Sequence, residues 1–147
     1  MTKTEILSFL DNRPFVILTT MNGEIPESRA LVNIRNQAIA PHLTEYFKNT
    51  DRILFMTNTH TDKIEQIREN PIASLYMYND EFGGLLLTGR ITEITDSATI
   101  NAIWDDSWKM YYPDGRDGGD FSVLEFFPEN YKTYSGVNFK KTKGRVK

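Results

Sequence analysis

Three features of the sequence predict a β-rich fold, mainly strands with short helices. The first is a hairpin signal: β-forming residues 15–20, the turn dipeptide Asn22-Gly23, then residues 29–35 alternating around Leu31 and Val32. The second is a set of further short apolar runs, residues 52–56, 72–78 and 85–94, bounded by turn-forming residues. The third is that helical periodicity appears only in brief stretches. About six antiparallel strands forming a barrel, with two or three short helices, is the expected architecture.

Taken in order, Thr2 and Glu5 have capping-box spacing, and Ile6, Leu7, Phe9 and Leu10 recur at helical spacing, so a short amphipathic helix opens the chain and ends at Pro14. The hairpin follows. Residues 41–49 fit a short helix or a turn, and residues 52–56 read as a buried strand with a polar sequel. In residues 63–70, Ile64 and Ile67 lie at i, i+3 spacing among charges, predicting a helix that starts near Thr61 or Asp62 and stops at Asn70-Pro71. The strands at 72–78 and 85–94 are separated by Asp80, Gly83 and Gly84. Asp96 is placed to cap a helix through Ile100, Ile103 and Trp104. Residues 112–119 read as an exposed turn-rich loop, and residues 120–127 and 132–134 as returning strands. The basic tail, Lys140, Lys141, Lys143, Arg145 and Lys147, reads as a frayed, solvated end.

A chain of 147 residues fits one domain, and 39% apolar with 25% charged residues is a globular balance. The formal charge of -3 argues against a nucleic-acid backbone as partner. With no Cys, disulfides, thiolate zinc sites and cysteine nucleophiles are excluded. His42 and His60 stand apart with no ligand-spaced companion, so no metal site is expected; Asp105, Asp106, Asp114, Asp117 and Asp120 lack Ca²⁺-loop spacing. Residues 1–10 carry Lys3 and Glu5 in place of the apolar core of a signal peptide, and no run reaches the roughly 18 apolar residues of a membrane span. The expected setting is cytoplasmic, away from the membrane.

The chemically informative stretch is Thr57-Asn58-Thr59-His60-Thr61-Asp62-Lys63, where a strand ends in hydroxyl and amide side chains and opens a helix. The first N–H groups of a helix have no internal partners and carry the positive end of its dipole, so an anion is stabilised there. Thr57, Thr61 and Lys63 can complete such a seat, whereas Asp62 repels phosphate unless it turns to cap the helix. Taken alone, an ordinary capped helix start is the plainer account. Arg29, within Ser28-Arg29-Ala30-Leu31-Val32, can fork onto two phosphate oxygens, although a lone strand Arg is usually a surface residue.

The order of these segments, followed by Asn70-Pro71-Ile72-Ala73-Ser74-Leu75-Tyr76, resembles the pyridoxamine 5′-phosphate oxidase-like FMN-binding split-barrel superfamily, and within it the general stress protein 26 group. The likeness runs from about residue 15 to residue 134 and includes Leu87-Thr88-Gly89-Arg90-Ile91-Thr92-Glu93-Ile94 and Tyr112-Pro113-Asp114-Gly115. The resemblance implies a split β-barrel working as a homodimer, with FMN in clefts between the subunits. By position, Arg29, Thr61 and Lys63 would hold the phosphate, with Ser28 and Asp62 beside them. Ala30, Leu31, Val32, Thr57 and Asn58 would line the flavin ring through backbone groups. Trp104, Trp108, Tyr111 and Tyr112 are either ring contacts or, the plainer reading, core.

The chain departs from true pyridoxamine phosphate oxidases in having Thr61-Asp62 before Lys63, Tyr134 where they resemble a tryptophan strand, and Phe139-Lys140-Lys141-Thr142-Lys143-Gly144-Arg145 where they carry an Arg-x-His segment. Oxidation of pyridoxamine 5′-phosphate is therefore not expected. Two function classes follow from the resemblance. One is an FMN-dependent oxidoreductase for a small molecule, with a role in stress response. The other is a noncatalytic module for flavin, deazaflavin or haem. No catalytic residue is singled out, because in a flavoprotein the redox chemistry belongs to the cofactor.

Overall fold

The computed structural model describes residues 1–79, 83–135 and 141–147. The expected turn residue Asp80, and Phe139 and Lys140 of the tail, lie outside these residues. The elements are α1 (Lys3–Asp11), β1 (Phe15–Asn22), β2 (Ile25–Val32), α2 (Thr44–Lys48), β3 (Ile53–Asn58), α3 (Asp62–Glu69), β4 (Ile72–Tyr78), β5 (Gly84–Glu93), α4 (Ser97–Ile103), β6 (Phe121–Tyr134) and β7 (Lys141–Arg145). Short 3₁₀ turns at Pro41–Leu43 and Asp106–Met110 complete the described chain.

α1 begins with a full capping box: the Thr2 hydroxyl accepts from the Glu5 amide, and the Glu5 carboxylate accepts from the Thr2 amide at 2.7 Å. β1 and β2 form the expected hairpin, with β2 beginning earlier and ending sooner than residues 29–35. Its loop is Gly23-Glu24, one residue beyond the expected Asn22-Gly23, since Asn22 is the last residue of β1 and pairs with Ile25; Gly23 takes φ 61°, a left-handed conformation that glycine enters without a Cβ penalty. Beyond β2, Arg35 leaves the sheet and is buried. Its guanidinium donates to the Asp11 carboxylate and to the carbonyls of Phe47, Thr50 and Arg52, tying α1 to the segment before β3.

The strands form one antiparallel sheet in the order β2-β1-β4-β5-β6-β3, with β7 on the free side of the far half of β6. The sheet curls until its ends meet, among the described residues, at a single bridge, Asn33↔Phe55. The ladder between β2 and β3 goes no further, so the barrel is split there. Inside lie Val16, Leu18, Leu31, Phe55, Leu75, Leu87, Ile91 and Phe126, closed at the ends by Ile6 and Leu10 of α1 and Ile64 and Ile67 of α3.

Two sequence expectations are corrected in the last part of the chain. The strands expected at 120–127 and 132–134 are one long strand, β6, from Phe121 to Tyr134, which continues through Pro128 where the β5–β6 register shifts at Thr88/Gly89. Gly89 is required there, since a Cβ would run into the Phe127 carbonyl. From Lys141 on, the basic tail is not a frayed end: β7 pairs with residues 130–134, and the Lys147 carbonyl accepts from the Lys3 amide. β3 pairs with Phe121–Phe126 of β6, so β7 covers the edge that the far half of β6 would otherwise leave open, and the described residues form seven strands where about six are expected.

A second core, outside the barrel, gathers Ile34, Leu43, Phe47, Leu54, Ile103, Trp108, Tyr112, Phe121 and Val123. Tyr112, expected in an exposed loop, is buried there, with its ring 5.1 Å from that of Phe121. Trp104 packs against the same ring at 5.0 Å. Trp108 and Tyr112 are thus core residues, Trp104 packs half-buried against them, and Tyr111 is exposed. Asp96 caps α4 as expected, accepting from the Thr99 amide at 2.9 Å. No helix of the described residues is long and apolar enough to cross a membrane.

Candidate functional site

The split between β2 and β3 sets the geometry of the candidate site. Counting antiparallel from Asn33↔Phe55, Arg29 on β2 lies opposite the polar turn that links β3 to α3. In β2 the side chains alternate. Glu27, Arg29 and Leu31 face the barrel side, whereas Ser28, Ala30 and Val32 face outward. Of the five predicted residues in this segment, only Arg29 therefore brings a charged side chain to the split. Leu31 is in the core, so it can serve a ligand only through its backbone.

Across the split, Thr57 is the penultimate residue of β3 and is buried, while Asn58 ends the strand and is exposed. The N-cap of α3 is Thr61, not Asp62. The Thr61 hydroxyl donates to the Asn58 carbonyl at 3.0 Å instead of closing the helix start, which leaves the first α3 amides without a side-chain cap. Asp62 is the first helical residue and is exposed. The Lys63 ammonium reaches back over the turn and donates to the hydroxyls of Thr57 at 2.8 Å and Thr61 at 3.2 Å.

Arg29 and Lys63 are close enough to act on each other. Burial, and then the charge of Arg29, hold the Lys63 ammonium below the ordinary lysine range. Burial likewise lowers Arg29, opposed by the carboxylates of Glu27 and Asp62. Among the described residues neither cation is in a salt bridge. Two partly desolvated cations side by side are unfavourable, and an anion shared between them relieves both the repulsion and the desolvation. The structure thus brings together Arg29, Thr57, Thr61, Asp62 and Lys63 and leaves Ser28, Ala30 and Val32 on the opposite face. His60 is exposed, His42 packs against Trp108 with its Nε2 3.1 Å from the Ile103 carbonyl, and no metal-ligand cluster occurs among the described residues.

Two residues at this site escape sequence reasoning. Thr20, on β1, and Gln66, on α3, are buried and bonded to each other, and both accept from Arg29. Thr20 reads as one more β-former. Gln66 does carry a signal, because it lies at i, i+3 from Lys63 and so shares a helix face with it.

The fold and site together define a split-barrel protein with paired cations at the mouth of the split. A family described as pyridoxamine 5′-phosphate oxidase matches residues 2–135, and the chain belongs to that family. No curated protein matches the sequence at a significant level. Among solved structures, a Clostridium acetobutylicum protein related to general stress protein 26 is 24% identical, with a TM-score of 0.75 over 98% of this chain and 94% of that one. General stress protein 26 from Bacillus anthracis is 15% identical, with a TM-score of 0.70 over 98% of each chain. A pyridoxamine 5′-phosphate oxidase-related, FMN-binding protein from Nostoc punctiforme is 15% identical, with a TM-score of 0.60 over 99% of this chain and 93% of that one.

Proposed function

We propose that this protein binds FMN at the split and serves as an oxidoreductase for a small molecule other than pyridoxamine 5′-phosphate. The observation that carries the reading is the pair Arg29 and Lys63, both half-buried, linked by the bond from Arg29 to Gln66 one helical turn from Lys63, and neither in a salt bridge among the described residues. A phosphate monoester suits them: it is dianionic near neutral pH, it accepts two bonds from one guanidinium edge, and the Thr57 hydroxyl and the uncapped start of α3 supply further donors, while Thr61 holds the Lys63 ammonium in place. The backbone edges of Ala30, Leu31, Val32, Thr57 and Asn58 on either side of the split would then hold the ring. Bound flavin supplies the electron transfer; the chain holds, orients and shields it. Family membership, with the FMN-binding Nostoc relative, favours FMN over other phosphorylated ligands.

Titration of the apoprotein tests this reading. FMN fluorescence should quench on binding, and FMN should bind at least about tenfold tighter than riboflavin, which lacks the phosphate and its charge-assisted contacts. Equal affinities would remove the seat from the account. A Soret band in the purified protein would point to haem instead, and absence of flavin reduction by NADH or NADPH in the anaerobic holoprotein would leave a binding module.

The working form would be a homodimer. On the outer face, Phe15, Ile17, Ala30, Tyr76 and Tyr78 border a groove of about 470 Å³, with Phe15 57% and Tyr78 59% exposed. A cluster of this kind marks an interaction surface, and it adjoins the strand that carries Arg29. Light scattering should give twice the 17.0 kDa chain mass. A chain-mass particle that still binds FMN tightly would overturn the shared cleft.

A further inference from the structure

The least expected feature of the site is the way Arg29 is held. Its guanidinium has five N–H donors. Nη1 donates to the Thr20 hydroxyl at 2.6 Å and to the Leu18 carbonyl at 3.4 Å, and Nη2 donates to the Gln66 carboxamide oxygen at 3.3 Å. Neither Nε–H nor the second Nη2–H has a partner among the described residues. These two protons lie on one edge of the planar group, the edge that grips two oxygens of a phosphate side-on.

Gln66 is itself constrained. Its carboxamide oxygen accepts from the Thr20 hydroxyl at 2.5 Å, and its nitrogen donates to the Glu27 carboxylate at 2.5 Å. The carboxylate can only accept, so the amide cannot flip without placing two acceptors face to face. The Thr20 hydroxyl has one proton, which goes to Gln66, so its lone pairs are what meet Arg29. Gln66 stands one helical turn from Lys63 on α3, so one helix carries both the second cation and the group that orients the first.

We propose that Gln66 is the positioning residue of the phosphate seat. With Thr20 it occupies one side of the Arg29 guanidinium, leaves the Nε/Nη2 edge to the ligand, and thereby sets the preference for phosphorylated over unphosphorylated flavin. The inference rests on the FMN reading above. A side chain that only packs under α3 would contribute to stability, but it would not move the ratio of the two ligand affinities.

That ratio, the riboflavin Kd divided by the FMN Kd, is the readout, measured by fluorescence titration of the full chain with melting temperature recorded alongside. Gln66→Met keeps the shape of the side chain and loses both hydrogen-bonding ends. It should lower the ratio about tenfold, through FMN, with riboflavin affinity within about threefold of the parent. The exchange Glu27→Gln with Gln66→Glu restores an acceptor for Arg29 and Thr20 and a donor opposite it, and should bring the ratio back to within about threefold of the parent. If Gln66→Met does not fold, Thr20→Val, which removes the companion bond on the same side of the guanidinium, must lower the ratio in its place. A folded Gln66→Met, or a Thr20→Val used in its place, with an unchanged ratio overturns the positioning role while leaving the seat intact. A parent protein with no preference for FMN overturns the seat itself.

Discussion

Replacing both Arg29 and Lys63 by alanine is expected to abolish the preference for FMN while sparing riboflavin. Lys63→Ala alone should cost about 1–3 kcal/mol of FMN affinity, because one charge-assisted contact with a partly desolvated ammonium is lost. Arg29→Ala should cost at least as much, since a guanidinium edge makes two such contacts. The double substitution should weaken FMN by roughly 10- to 10⁴-fold, less than the product of the single effects, because both cations address one phosphate and are coupled through it. Riboflavin affinity should move by less than about threefold. An equal loss for both ligands would show that the substitutions damage the fold or the ring contacts and not a phosphate seat.

The same pair predicts a pH dependence. Burial and the charge of Arg29 lower the Lys63 pKa, so in the free protein the proton is released at lower pH than from an ordinary lysine at about 10.4. Phosphate interacts favourably with the ammonium form, so FMN affinity should fall as pH rises through the Lys63 pKa. Lys63→Arg should flatten that slope. The sign for stability is opposite: with a folded-state pKa below the unfolded one, the charged lysine costs the free protein stability at lower pH, and the cost shrinks as pH rises.

The second large effect concerns the anchor behind the site. Arg52, just before β3, donates from Nε and Nη2 to the two oxygens of Glu125 on β6 at 2.8 and 2.9 Å, and from Nη1 to the Thr99 hydroxyl on α4 at 2.9 Å. The side chains are 28% and 10% exposed. The Glu125 carboxylate is the first cause of the upward shift of Arg52. Arg52→Met would leave Glu125 largely buried without its cation. The expected loss is about 3 kcal/mol, roughly 6–12 °C in Tm for a chain of this size. Adding Glu125→Leu should recover most of it, because a pair of apolar side chains has no charge to desolvate. Thermal unfolding of the two variants checks this, and a double variant no more stable than Arg52→Met would assign the cost to the lost contacts of Arg52 with the Thr99 hydroxyl and with the Tyr46 hydroxyl, which accepts from Nη1 at 3.3 Å.

Local elements were legible wherever one short-range cause dominated. The capping box at Thr2 and Glu5, the turn at Gly23, the stop at Asn70-Pro71 and the cap at Asp96 each depend on residues within a few positions of one another. Where distant segments compete, the local signal misleads. Residues 141–145 are polar and basic with no apolar alternation, yet they form a strand, because the edge of β6 offers unpaired N–H and C=O groups. Tyr112 sits in a Gly- and Asp-rich stretch that looks exposed, yet Phe121 and Trp108 bury it.

The sequence by itself determined the chemistry available to this protein: the absence of cysteine, the strand-forming alternation, and a cation at Arg29 and another at Lys63 beside hydroxyl groups. Those are properties of residue type and near-neighbour spacing. Only the tertiary structure decided that the cations meet. Barrel closure at Asn33↔Phe55 brings β2 opposite the start of α3, and the buried Thr20 and Gln66 then fix which edge of Arg29 is left to the split. The physical reason is that a cation's partly desolvated state and its free hydrogen-bonding edge are properties of what surrounds it. Those surroundings come from β1, β2 and α3, segments far apart in sequence that the closed sheet alone places together.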